Sequence, residues 1–167
     1  MSILNKTISI IILSSVTLFG SWVKVDIGNK LAIEFPEKPK TETILKDYII
    51  HSSKNANCDF EVYNDKYPEP VFPKNEKESS ILFDQSIQKS KARGVFISSK
   101  KISLGKLPGI EIRSYFTPSQ HIKLIQVERT YFLNYRIYTL RCLFNTKNKT
   151  ICEKDCSRFF TSLRFSN

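Results

Sequence analysis

Near its C-terminus the chain places Cys152, Cys156, Phe159, Phe160 and Leu163 at i, i+4, i+7, i+8 and i+11. At about 3.6 residues per turn these five side chains form one helical stripe, which must be covered by a broader apolar surface. Four segments before it can supply that surface. Val95–Leu104, Pro108–Thr117, His121–Leu133 and Tyr135–Phe144 read as successive strands. In the last of them Tyr138, Leu140, Cys142 and Phe144 share one face, while Tyr135, Ile137 and Arg141 share the other. Turns are expected at Gly105-Lys106-Leu107, Pro118-Ser119-Gln120 and Leu133-Asn134. Thr150-Ile-Cys-Glu153 predicts a capping box that starts the closing helix.

The first half follows the same logic. Val23, Val25 and Ile27, then Leu31, Ile33 and Phe35, alternate on either side of Gly28-Asn29 and predict a hairpin. Pro36 and Pro39 end it, because neither can donate to a ladder. Further strands are predicted over Thr41–Ser52 and Cys58–Tyr67; in the second, Cys58, Phe60 and Val62 point away from Asp59 and Glu61. After the proline-rich stretch Pro68–Pro73, Asn75 and Glu78 form an N-cap pattern. A helix is expected from Glu76 to Arg93, with Leu82, Phe83, Ser86, Ile87 and Ser90 inward and Gly94 as its stop. Strands, helix, meander, helix: the fold class is α+β, a mainly antiparallel sheet with two helices packed against it.

At 167 residues, 41% hydrophobic and 25% charged, the chain has one domain's worth of material and is neither disordered nor a polytopic membrane protein. Residues 1–21 read as a secretory signal peptide, with Lys6 ahead of the short apolar run Ile8–Phe19, and 22–167 as the single folded domain. The apolar run is shorter than the ~20 residues of a membrane span. The alternative is an uncleaved N-terminal membrane anchor. An exported protein, periplasmic, lumenal or extracellular, is therefore expected. Lys6 is the one charged residue among 1–20, so the net charge of +10 becomes +9 without them. Such a domain meets anionic surfaces readily, though dispersed lysine also serves as plain solvated surface.

Cys58, Cys142, Cys152 and Cys156 form an even set outside the leader, which suits an oxidising compartment. Cys142 lies near the end of the last strand and Cys152 in the first helical turn beyond it, so Cys142–Cys152 and Cys58–Cys156 are the expected disulfides. Free buried thiols and a metal site are the alternatives, although the paired CxxC knuckles of a zinc site are absent.

Four short motifs, in this order, resemble the PsbP-like α/β/α sandwich group of small exported or lumenal proteins: Phe35-Pro36 with Pro39, Leu104–Glu111 (LGKLPGIE), Tyr138, and Phe159–Phe165 (FFTSLRF). The resemblance spans about residues 22–165. It implies that fold and a non-enzymatic bias, with no catalytic residues to carry over.

The residues agree with a non-enzyme. His51 and His121 are the two neutral-pH acid–base groups, and neither sits beside a nucleophile motif. Glu37 with Glu42, and Asp59 with Glu61, fall on solvated strand positions, and Gly105 and Gly109 read as turn residues rather than a phosphate cradle. No cofactor is expected. Tyr115, Phe116, Tyr131, Phe132, Tyr135 and Tyr138 alternate with Arg113, Lys123, Arg129, Arg136 and Arg141, as in some single-strand binders; the leader and the covering helix argue against nucleic acid. The expected role is an exported accessory or interaction domain of the cell envelope. Its partner would be an envelope protein or an anionic envelope surface, met peripherally. A small-ligand or lipid-binding module, with its pocket between sheet and first helix, is the alternative. A wide cavity beside Leu82, Phe83 and Ile87 would favour that module, whereas a solid core with an exposed apolar patch would favour the interaction domain.

Overall fold

A computed structural model describes residues 21–166 except 94, 120 and 121. The expected leader (save Ser21), the helix stop Gly94, Gln120 of the expected Pro118-Ser119-Gln120 turn, and His121 lie outside the described residues. The first hairpin joins β1 (Val23–Gly28) to β2 (Leu31–Phe35). Its two-residue turn is Asn29-Lys30, with φ of 52° and 59°, the twist that hairpins favour. Two strands, β3 (Lys40–Leu45) and β4 (Tyr48–Lys54), replace the single strand expected over Thr41–Ser52. The turn between them, Lys46-Asp47, has no glycine or proline to announce it and is held from outside: the Asp47 carbonyl accepts from Lys66 N and from Arg136.

Beyond β5 (Cys58–Lys66) and a 3-10 turn at Glu69–Val71 comes α1 (Glu76–Ala92). As the sequence predicts, Asn75 caps it, accepting from Glu78 N at 2.9 Å. Ser79 and Phe83 are buried, and Leu82 and Ile87 pack half-buried against the same cluster as expected, whereas Ser86 is exposed and donates to the Leu82 carbonyl. The meander follows as β6 (Phe96–Leu104), β7 (Leu107–Ser119), β8 (Ile122–Leu133) and β9 (Arg136–Asn145). The tight turn between β8 and β9 is Asn134-Tyr135, one residue later than expected.

The closing helix α2 (Lys149–Thr161) begins before the expected capping box. A 3-10 turn at Thr146–Asn148, capped by Asn145, leads into it, so Thr150 and Glu153 lie inside the helix. Glu153 reaches across to Arg113 at 3.0 Å instead of capping. A short β10 (Arg164–Phe165) pairs with β2.

The strands form two antiparallel sheets, β1-β2-β10 and the seven-stranded β3-β4-β5-β9-β8-β7-β6. One face of the large sheet carries the small sheet and α2. There the predicted stripe is buried throughout, with Phe159 between Phe35 and Phe60 at 5.4 and 5.2 Å. Burying each such ring contributes roughly 1.5–3 kcal/mol. The opposite face receives α1 over β6 and β7, where Phe83 stacks on Phe132 at 5.3 Å above Ile110 and Ile112. This is α+β, mostly antiparallel, with a helix on either face.

All four cysteines are paired, but as Cys58–Cys152 and Cys142–Cys156, with Cα separations of 5.9 and 6.1 Å. The expected pairing fails because of strand register. Cys58 lies opposite Phe144 and Cys142 opposite Phe60. Cys58 is therefore at the end of the sheet where β9 stops and α2 begins, and Cys142 is two residues deeper, about 7 Å. Cys152 in the first turn of α2 meets Cys58; Cys156, about 6 Å further along the helix, meets Cys142.

Candidate interaction surface

The seam between α1 and the sheet is closed by aromatic packing. Phe72 lies against Phe132 at 6.0 Å and Tyr135 at 5.1 Å, and Phe83 fills the space behind. The cavity left beside Phe83 is about 50 Å³, room for one or two waters. Outside the seam, the proline-rich approach and the first turns of α1 form an open groove of about 410 Å³. Val71 is 59% exposed there and Ile81 51%, with Phe72 and Leu82 behind them. A reciprocal cap fixes this edge: Asn75 takes the Glu78 N–H while the Glu78 carboxylate takes the Lys74 N–H at 2.8 Å. The geometry favours contact with an apolar side chain rather than enclosure of a molecule.

Beyond α1 the same face of the sheet is uncovered. Arg141 stands between Glu61 on β5 and Glu128 on β8, its direct cross-strand neighbours. Its Nε donates to Glu61 at 2.6 Å and its guanidinium lies 4.7 Å from the Tyr63 ring, which stacks on Tyr48. Glu128, by contrast, has no basic partner among the described residues, and burial raises its pKa above the ordinary carboxylate range, with the Glu61 charge adding to the effect. Burial likewise raises Asp59. Tyr48, Tyr63, Glu128 and Arg141 border a shallow depression of about 350 Å³.

Under α2 the polar groups are internally paired. Glu111 is 3% exposed and accepts from Arg129 at 2.8 Å, with Lys100 at 3.3 Å. Burial opposes its charge, but the Arg129 hydrogen bond and the Arg129 and Lys100 charges outweigh that and hold its pKa below the usual range. Periodicity along β7 does not reveal this pairing, because Arg129 and Lys100 come from β8 and β6.

The expected site residues are dispersed. His51 is buried and its Nδ1 meets Thr41 Oγ1 at 3.0 Å; burial lowers its pKa. The aromatic–arginine series does not form a platform. Tyr131, Phe132 and Tyr138 are buried, and Arg129, Arg136 and Arg141 pair with Glu111, Asp47 and Glu61. Gly105 turns the chain at φ 59°, as expected. Gly109 is instead a strand residue over which the Tyr131 ring lies, so close that a Cβ would come within 2.6 Å of it.

A mainly antiparallel sheet with helices on both faces is the PsbP-like fold. The solution structure of cyanobacterial PsbP (CyanoP) from Synechocystis sp. PCC 6803 has the same architecture, with a TM-score of 0.63 over 87% of this chain and 93% of that one. At 6% identity the likeness concerns the fold alone. A Pseudomonas aeruginosa protein of unknown function, PA94, aligns at 5% identity and a TM-score of 0.47 over 81% of this chain and 91% of that one. No family model matches the sequence, and no curated protein does.

Proposed function

We propose that the protein is an exported, non-catalytic accessory domain of the cell envelope that acts through its surface. One contrast carries this reading: the α1 seam holds about 50 Å³, while apolar Val71 and Ile81 stand exposed in the groove beside it. A ligand cleft needs ~300–1,000 Å³, so a pocket between sheet and helix draws no support from this packing. The sequence-predicted leader and the paired cysteines support export. The PsbP-like fold supports a non-enzymatic role, as does the engagement of His51 with Thr41.

The test is twofold. Intact-mass measurement of protein from the envelope fraction is expected to show residues 1–20 or so removed; a mass retaining them converts the reading to an anchored protein. In the same cells, a photocrosslinking residue at Ile81 is expected to capture a discrete envelope protein, and Val71→Asp should abolish capture. Equal capture from the exposed but distant Ile44 would defeat the groove as the contact.

A further inference from the structure

At the end of the sheet opposite the groove, three segments distant in sequence come together, and none contains an acid. They are residues 89–93 and 95–97, at the end of α1 and the start of β6; residues 116–117 and 122–124, near the ends of β7 and β8; and residues 145–151, the passage from β9 into α2. Strand register brings them together. Phe116 lies opposite Leu124, and Leu124 opposite Asn145. The Tyr115 N–H donates to the Val95 carbonyl at 2.8 Å, which draws the end of α1 alongside.

Lys89, Lys91, Arg93, Lys123, Lys147 and Lys149 are all exposed here, and none enters an ion pair among the described residues. The same segments expose Ile97, Phe116, Ile122 and Ile151, at 40%, 39%, 47% and 59%. The groove end is different: Lys66, Lys74 and Lys77 are interleaved there with Asp47, Glu69 and Glu76.

A nucleic acid would use the cations and leave the three isoleucines idle. A bilayer interface uses both. Apolar side chains enter the acyl boundary, while lysine stems lie along it and place their ammonium groups among anionic head groups. We propose that this end of the molecule docks peripherally on an anionic lipid bilayer. The α1 helix, 17 residues long, or about 25 Å, separates this end from the groove. On the membrane, the protein presents its groove away from the lipid. The inference rests on the envelope reading only for where such a membrane is met.

The experiment is co-sedimentation of the protein, purified from its own cells and with its N-terminus determined, with mixed phosphatidylglycerol–phosphatidylcholine vesicles and with phosphatidylcholine alone. Binding is expected only to the anionic vesicles. At ~1 kcal/mol per lysine near such a surface, Lys123→Gln with Lys149→Gln should weaken binding about 30-fold. The charge-matched pair Lys77→Gln with Lys106→Gln should have little effect. Phe116→Trp should shift its emission to the blue on the anionic vesicles, and Phe116→Ser should weaken binding. Equal loss from both lysine pairs would reduce the effect to net charge. Lysine dependence with unmoved Phe116→Trp emission would make the surface a polyanion site, and no binding at low salt would end the proposal. Vesicle binding by a protein that retains residues 1–20 and stays out of the envelope fraction would instead sink the export reading and leave this surface standing.

Discussion

Replacing Cys58 and Cys152 together by alanine should destabilise the protein more than replacing Cys142 and Cys156. The two bridges differ chiefly in what they do to the unfolded chain. Cys58–Cys152 closes a separation of 94 residues and Cys142–Cys156 one of 14. Chain-entropy loss then gives about 4.7 kcal/mol for the first and about 3 kcal/mol for the second. All four side chains are buried, at 2%, 0%, 0% and 4% exposure, so the cost of deleting sulfur atoms is similar in both pairs. At about 2–4 °C per kcal/mol for a chain of this size, the melting temperature should fall by about 9–19 °C in the first variant and about 6–12 °C in the second. Calorimetry without reductant reads the order directly. Adding reductant should bring both variants and the parent close together. A larger loss from the Cys142–Cys156 variant, or a non-reducing peptide map joining Cys142 to Cys152, would refute the register argument that sets the pairing.

Two further expectations concern half-buried Glu128 and buried Gly109. Glu128 has a folded pKa above its unfolded value, so the cost of charging it is absent at low pH and grows as pH rises from about 4.3 towards the folded pKa. Glu128→Gln should therefore raise the melting temperature at pH 7, and the gain should vanish below about pH 4; a gain independent of pH would show that charge is not the cause. Gly109→Ala places a methyl group against the Tyr131 ring and should cost about 1–3 kcal/mol in chemical denaturation, partly recovered by Tyr131→Leu; an unchanged midpoint would mean the ring moves freely.

Local periodicity made much of this molecule legible. The alternation of Cys58, Phe60 and Val62, the Tyr138–Phe144 face, the Asn75–Glu78 cap and the Cys152–Leu163 stripe all appear where the residues alone place them. Each depends on neighbours within a few positions, and strand and helix periods are properties of such short windows. Everything decided by long-range pairing had to await the tertiary structure. The turn at Lys46-Asp47 is held by Lys66 and Arg136. Strand β10 exists only because β2 offers an edge. Glu111 draws its counter-charges from strands β6 and β8, and Glu128 is left without one because Arg141 turns to Glu61. The number of cysteines was open to reading, but which of them meet depends on β5 aligning Cys58 with Phe144 rather than one pair along, a register set by burial across the whole sheet.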